Sequence, residues 1–297
     1  MKLLVLGKDG QVGRALQSAL APLGQVLALS RAEADLEYPE QVTARIAAER
    51  PEVVVNAAAY TAVDAAEDDR TRAWTINADA VGAIGKAAHE IGALVVHYST
   101  DYVYDGLAQG FQTEEQPTSP ASVYGASKLA GEALLRQSGA PHLIFRTSWV
   151  YAERGKNFPL TILRLAKERD RLTVVVDQWG APTSAGLIAA VTAAAIPQAL
   201  ADPGKRGLYH LAAAGETNWH GLAQFLVAEA RAAGAMLKAA PDAIVPIGAS
   251  EYSARARRPA NSRLDTTKLR TAFGVTLPPW QDGIRQLITT LHSEGRV

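Results

Sequence analysis

Residues 3–6 form a short apolar run that ends at Gly7, and Gly7, Gly10 and Gly13 then follow at a spacing of three. Beyond them Leu16, Leu20 and Leu23 recur at helical spacing. A strand with no polar face, a glycine turn and a helix, in that order, begin a parallel α/β sheet. Such a turn lets the backbone bend tightly, lets a pyrophosphate come close and lets the helix pack on the strand. The helix N-terminus adds unpaired N–H groups and a favourable dipole for phosphate. The spacing is G-x-x-G-x-x-G and not G-x-G-x-x-G, and plain strand–helix turns also use glycine. With both flanking elements in place, the segment reads as a dinucleotide site.

The alternation continues. Apolar runs at residues 26–29, 53–55, 94–98 and 143–146 are separated by helical stretches at 40–50, 69–91 and 123–136. That order implies a Rossmann-type doubly wound parallel sheet, with residues 1–150 as an NAD(P)-binding domain. After Tyr151 the rhythm loosens. Helices are expected at 158–168, 184–200, 222–233, 266–273 and 280–291, with strands at 172–176 and 208–211. Residues 151–297 read mainly as a smaller C-terminal substrate-binding lobe over the sheet's binding edge, with some elements returning to the first domain.

Ligands of such sheets gather at the C-terminal ends of the strands. After the second strand stand Ser30 and Arg31, where an Asp or Glu favours a free ribose 2′-hydroxyl and an Arg accommodates a 2′-phosphate. This points to NADPH, with NADH possible; the plain alternative is a solvated loop arginine. After the third strand, Ala57, Ala58 and Ala59 are small enough for a ligand to pass close to the backbone. After the fourth come Ser99, Thr100, Asp101 and Tyr102. They place hydroxyls and a carboxylate at the binding edge, although the same residue types also cap turns. On the next helix Tyr124 and Lys128 stand four apart and so share a face. An ammonium beside a phenol lowers the phenol's pKa, which suits it to proton transfer near neutral pH. Tyr and Lys at this spacing are common on amphipathic helices, so the pair takes its meaning from its surroundings.

Other classes are poorly supported. Formal net charge is +0, which leaves no electrostatic footprint for nucleic acid or an anionic membrane. There is no Cys, so disulfides, thiolate metal sites and cysteine nucleophiles are excluded. The six histidines lack zinc-ligand spacing, no G-x-S-x-G is present, and Gly85-Lys86 is followed by Ala87 where a phosphate loop needs Ser or Thr. No apolar run is long enough for a signal peptide core or a membrane span, so a cytoplasmic globular protein is expected.

The glycine turn, Thr100 and Tyr124-x-x-x-Lys128 together resemble the extended short-chain dehydrogenase/reductase superfamily. Longer stretches are similar to one member family, the dTDP-4-dehydrorhamnose reductases. They include Gly7-Lys8-Asp9-Gly10-Gln11-Val12-Gly13, His97-Tyr98-Ser99-Thr100-Asp101-Tyr102-Val103-Tyr104 and Arg258-Pro259-Ala260-Asn261-Ser262-Arg263-Leu264, together with residues 55–64 and 145–152. The resemblance runs nearly end to end. It implies NADPH-dependent reduction of the C4 ketone of dTDP-4-dehydro-β-L-rhamnose to dTDP-L-rhamnose, the final step of dTDP-rhamnose biosynthesis. It further implies that Gly10, Gln11 and Val12 hold the pyrophosphate and that Ser30, Asp35 and Leu36 lie near the adenosine. Ala59, Tyr60, Thr61 and Tyr98 would flank the cofactor. Thr100, Asp101 and Trp149 would meet the sugar, while Asn157, Arg258 and Asn261 would help to place the nucleotide sugar. In the implied chemistry Tyr124 supplies the proton, Lys128 lowers its pKa and bonds the nicotinamide ribose, and Thr100 donates to the developing oxyanion.

Two departures carry weight. Family members that form a Mg²⁺-bridged dimer use carboxylates where this chain has Ala15 and Gly186. No metal and a monomer or weak homodimer are therefore expected. Related dehydratases carry Glu after the Thr-Asp pair, where this chain has Tyr102. The alternatives are a sugar-nucleotide epimerase or dehydratase of the same superfamily, or a non-catalytic NADP-binding regulatory subunit.

Overall fold

Apolar runs without a polar face need cover on both sides. The computed structural model, which describes residues 1–297, covers them with helices. In chain order the first half forms β1 (Lys2–Leu6), α1 (Gln11–Leu20), β2 (Gln25–Leu29), α2 (Pro39–Glu49) and β3 (Val53–Asn56), then α3 (Ala80–Ile91), β4 (Leu94–Thr100), α4 (Val123–Gln137) and β5 (His142–Thr147). The second half adds α5 (Phe158–Glu168), β6 (Leu172–Val175), α6 (Ala185–Ala201), β7 (Gly207–His210), α7 (Trp219–Ala232), β8 (Ile244–Ile247), α8 (Thr267–Phe273) and α9 (Trp280–Ser293).

Six strands form one parallel sheet in the order β7-β5-β4-β3-β1-β2. Strand parity decides what each residue touches. Leu3, Val5, Val53, Val55, Val96 and Phe145 pack with Leu16 and Leu20 of α1, Ile188 and Ile196 of α6, and Leu269 of α8. Their neighbours Leu4, Leu6, Val54, Val95 and Ile144 face the other way, against Val42 and Ile46 of α2, Ile84 of α3 and Leu135 of α4. Each such side chain fully buried contributes roughly 1.5–3 kcal/mol, so this double layer is the main source of stability. Thus β7, α6 and α8, from the second half of the chain, complete the first sheet. A separate apolar cluster is built by α5, α7, α9 and the parallel pair β6–β8, around Ile162, Leu172, Leu226, Ile244, Ile284 and Leu287. No strand is expected at β8 from the sequence because it is short and contains Pro246, which a strand tolerates only at an edge. No helix is long and apolar enough to cross a membrane.

The single helix expected over residues 69–91 is interrupted. A short helix Arg70–Trp74 passes through a π-helical turn, Thr75–Asp79, before α3. The wide turn carries the buried Asn77. Its Oδ1 accepts the Tyr60 amide at 2.9 Å, and its Nδ2 donates to Tyr60 O and Ser127 Oγ, each at 3.1 Å. This ties the loop after β3 to α4, and π-turns of this kind often mark functional sites.

The strand order reverses between β1 and β3, which opens a crevice at their C-terminal ends. There α1 starts so close to β1 that a Cβ on Gly13 would lie 2.0 Å from Gly7 O. Gly13→Ala should therefore force α1 off the strand end and cost about 1–3 kcal/mol or more. Urea denaturation should read this as a lowered midpoint, and an unchanged midpoint would mean that the helix start yields freely.

Candidate active site

The site is assembled where α4 docks on the end of β4. Ser122 caps α4, its hydroxyl accepting the Gly125 amide at 3.1 Å. A Cβ on Gly125 would lie 2.2 Å from Tyr102 O, so only glycine lets the helix approach the turn after β4 this closely. The Tyr102 and Tyr124 rings then meet edge to face, with centroids 5.5 Å apart. Tyr124 is half-buried, and one turn later Lys128 is fully buried.

Thr100, the last residue of β4, is buried; its hydroxyl donates to Asp101 Oδ1 at 3.1 Å and accepts the Tyr102 amide at 3.2 Å. Burial pushes the Tyr124 phenol up to about 12, opposed by a hydrogen bond with Thr100 and reinforced by the charge of Asp101. This differs from the expectation that Lys128 holds that phenol low. The desolvation of the phenol dominates, and Lys128 Nζ instead lies 3.2 Å from Nε2 of the buried His97 on β4. Burial also lowers Lys128 to about 8, with Glu132 opposing. Tyr124 therefore keeps its proton at neutral pH, which is the form a proton donor needs.

Asp101 is buried and pushed up to about 6 by desolvation, opposed by hydrogen bonds from Ser262 and Thr100. Ser262 Oγ donates to Asp101 Oδ2 at 2.5 Å. Ser262 lies in one of the stretches that carry the family resemblance, but nothing in its residue type marks it as a partner of Asp101. Thr147, paired with Thr100 in register, and Ser148 beside it are also buried, and their hydroxyls have no partner. Buried hydroxyls without a partner are uncommon in a folded chain, and these two lie at the strand edge beside Thr100.

On the cofactor side, a cleft of about 260 Å³ is lined by Gly7, Gly10, Arg31, Asp35, Leu36, Ala57, Ala58, Ala59 and Thr61, all expected there, and also by Asp9, Ala34 and Ile76. No side chain caps the N-terminus of α1, so the N–H groups of Gln11 and Val12 are open to an anion. Ser30 is spent on Glu33, which its hydroxyl and amide both meet. Tyr60 is fixed through its backbone by Asn77. Tyr98 lies in the core on the sheet face opposite to His97, its hydroxyl 2.8 Å from that of Thr192, because successive strand residues alternate sides. Arg31 is not a free cation: its Nε donates to Asp35 Oδ2 at 2.9 Å, and it also pairs with Glu37. Glu37 pairs with Arg72 as well.

The residues expected near the nucleotide sugar divide. Arg258 lines a second cavity of about 270 Å³ with Phe158, Gln178, Trp219 and Tyr252. Its Nη2 donates to Asp64 Oδ2 at 2.8 Å, while its buried Nε has no partner. Trp149 adopts φ 51°, a strained region for a bulky residue, and stacks on Trp219 with centroids 3.5 Å apart. Asn157 is a cap and a tie: its Oδ1 accepts Leu160 N, and its Nδ2 donates to Gln11 Oε1 and Ala152 O at 2.8 Å each. Asn261 is buried and holds the loop at Ala108 and Gly110 by two bonds of 2.8 Å. Both asparagines thus spend their side-chain amides on bonds within the chain, Asn157 on the glycine turn through Gln11 and Asn261 on the loop at 108–110. No group of three or more His, Asp or Glu side chains is placed to hold a metal ion.

The family model of the RmlD substrate binding domain matches residues 1–293. The chain is 48% identical over 298 residues to the dTDP-4-dehydrorhamnose reductase of Burkholderia thailandensis, covering 99% of this chain and 100% of that protein. It is 50% identical over 297 residues to the enzyme of the same name from Escherichia coli K12, covering 99% of each. The crystal structure of dTDP-4-dehydrorhamnose reductase from Bacillus anthracis in complex with NADP superposes with a TM-score of 0.89 at 31% identity, covering 97% of this chain and 99% of that one.

Asp101 makes a pH-dependent prediction. Its pKa is raised in the fold, so its contribution to stability is full below about pH 4 and is lost as pH rises through about 6. The loss is about 3 kcal/mol. Urea denaturation at about pH 4 and about pH 7.5 should show the wild type losing that much relative to Asp101→Asn. Parallel pH dependence in the two chains would contradict it.

Proposed function

The chain belongs to the RmlD substrate binding domain family, and we propose that it reduces the C4 ketone of dTDP-4-dehydro-β-L-rhamnose to dTDP-L-rhamnose with NADPH. The observation that carries this reading is the meeting of Thr100, at the end of β4, with a protonated Tyr124 whose helix buries Lys128 in its next turn. The open N-terminus of α1 and the glycine-lined cleft beside it suit a dinucleotide. When bound, the dihydronicotinamide supplies the hydride.

The remaining work falls to the chain's own residues. Tyr124 gives its proton to the ketone oxygen as charge develops there. Thr100 turns its hydroxyl from Asp101 to the same oxygen and stabilises that charge. A positioned acid of this kind contributes about a hundred- to ten-thousandfold. The aromatic cavity at Trp219 and Tyr252 takes the thymine nucleotide, and the Arg258 guanidinium in its lining meets the phosphates. On the cofactor, a 2′-phosphate exchanges with the carboxylates of Asp35 and Glu37 on Arg31, and that competition leaves room for NADH as a weaker alternative. The compartment is the cytoplasm and the working form a monomer or weak homodimer.

The direct test is NADPH oxidation on the dTDP-4-keto sugar generated in situ. Tyr124→Phe should lower kcat at least about a hundredfold with little change in cofactor affinity. A near-wild-type kcat would remove Tyr124 from the chemistry. Arg31→Ala should raise the KM for NADPH more than that for NADH, and an equal rise would sink the 2′-phosphate assignment.

A further inference from the structure

Behind Lys128 lies a buried polar chain. Asn56, the last residue of β3, is buried, and its Oδ1 accepts the Ala58 amide N–H at 3.1 Å. That bond fixes the amide's orientation, so its Nδ2 is the atom 3.3 Å from His97 Nδ1. An amide nitrogen donates and does not accept. His97 Nδ1 is therefore the acceptor, and the proton of the neutral imidazole sits on Nε2. His97 is neutral because burial, and then the charge of Lys128, hold it well below the ordinary histidine range. Its Nε2–H points at Lys128 Nζ, 3.2 Å away.

We propose that Asn56 and His97 form a directed hydrogen-bond chain that presents a donor to Lys128, so that this seat favours the neutral amine over the ammonium. A neutral amine accepts the Nε2–H. An ammonium finds no acceptor on that side. To accept from an ammonium, His97 would have to move its proton to Nδ1, and the Asn56 amide would have to turn and break its bond to Ala58. Ala58 lines the cofactor cleft, so the charge of Lys128 is linked to the loop that borders the cofactor. The other groups around the lysine do not replace this chain. Glu132, on the same helix, raises the Lys128 pKa from a distance but is itself bound to Arg146 of β5. Asp101 and Tyr102, on the turn packed against the helix, are coupled to Tyr124. His97 and Asn56 are thus positioning residues that act through Lys128.

This inference rests on the reductase reading for its effect on turnover, but not for the tautomer. Long-range ¹⁵N NMR of the histidine rings in the NADP⁺-bound chain should show His97 protonated at Nε2 and bare at Nδ1. A proton on Nδ1, or on both nitrogens, overturns the proposal. Asn56→Asp should reverse the chain, because a carboxylate takes the Nδ1–H and leaves Nε2 to accept from an ammonium. The alkaline limb of the kcat profile should then move up by about one pH unit. An unmoved limb in a folded, NADPH-binding Asn56→Asp chain also overturns it. If that variant does not fold, the wild-type tautomer still decides. An Nε2–H tautomer in a chain that oxidises no NADPH with the sugar nucleotide would uphold the directed chain and sink the reductase reading.

Discussion

The buried ion pair between Arg146 of β5 and Glu132 of α4 fixes the helix that carries the chemistry. Arg146 donates through Nε and Nη2 to the two carboxylate oxygens, at 2.9 and 2.7 Å, and both side chains are excluded from solvent. Breaking such a pair leaves a stranded charge and costs about 3–5 kcal/mol. The same guanidinium donates to the Tyr104 hydroxyl at 2.7 Å, which in turn lies 2.7 Å from His210 on β7. One cation therefore registers α4, β5, the segment after β4 and the edge strand against one another. Lys128 sits one turn before Glu132 and Tyr124 one turn before that, so the position of the proton donor follows from this anchor.

Burial then sets the protonation states. The phenol stays protonated, the lysine is made less basic, and Asp101 is brought into the neutral range. Three desolvated groups on one strand end and one helix are a costly arrangement for a scaffold alone. They are the arrangement a site needs to hold a proton ready beside a developing oxyanion.

Much of this could be read from the sequence, for physical reasons. Apolar runs without alternation require a sheet covered on both faces, and the three glycines require a helix starting at a strand end. The chemistry-bearing types, Thr100, Tyr124 and Lys128, sit where strand ends and helix spacing put them. What could not be read is how polar atoms are spent. Asn157 and Asn261 have ligand-like residue types, and their bonds to Gln11, Leu160 and Ala108 cannot be told from the sequence. The Tyr98 hydroxyl is spent on Thr192 of α6, a partner 94 positions away that no spacing announces. Ser262 reaches Asp101 across 161 positions, and His97 meets Lys128 only because β4 and α4 are packed together. Spacing shows that Lys128 and Tyr124 are neighbours, but it does not show how far burial raises the phenol.

In the proposed reaction a hydride reaches the C4 carbon of a nucleotide sugar while Tyr124 protonates its oxygen. The most direct measurement supplies the chain with dTDP-4-dehydro-β-L-rhamnose and NADPH deuterated at the transferable C4 position. The expected product is dTDP-L-rhamnose carrying one deuterium at sugar C4 for each NADPH oxidised. Product without deuterium, or sugar turnover without net loss of NADPH, would contradict it.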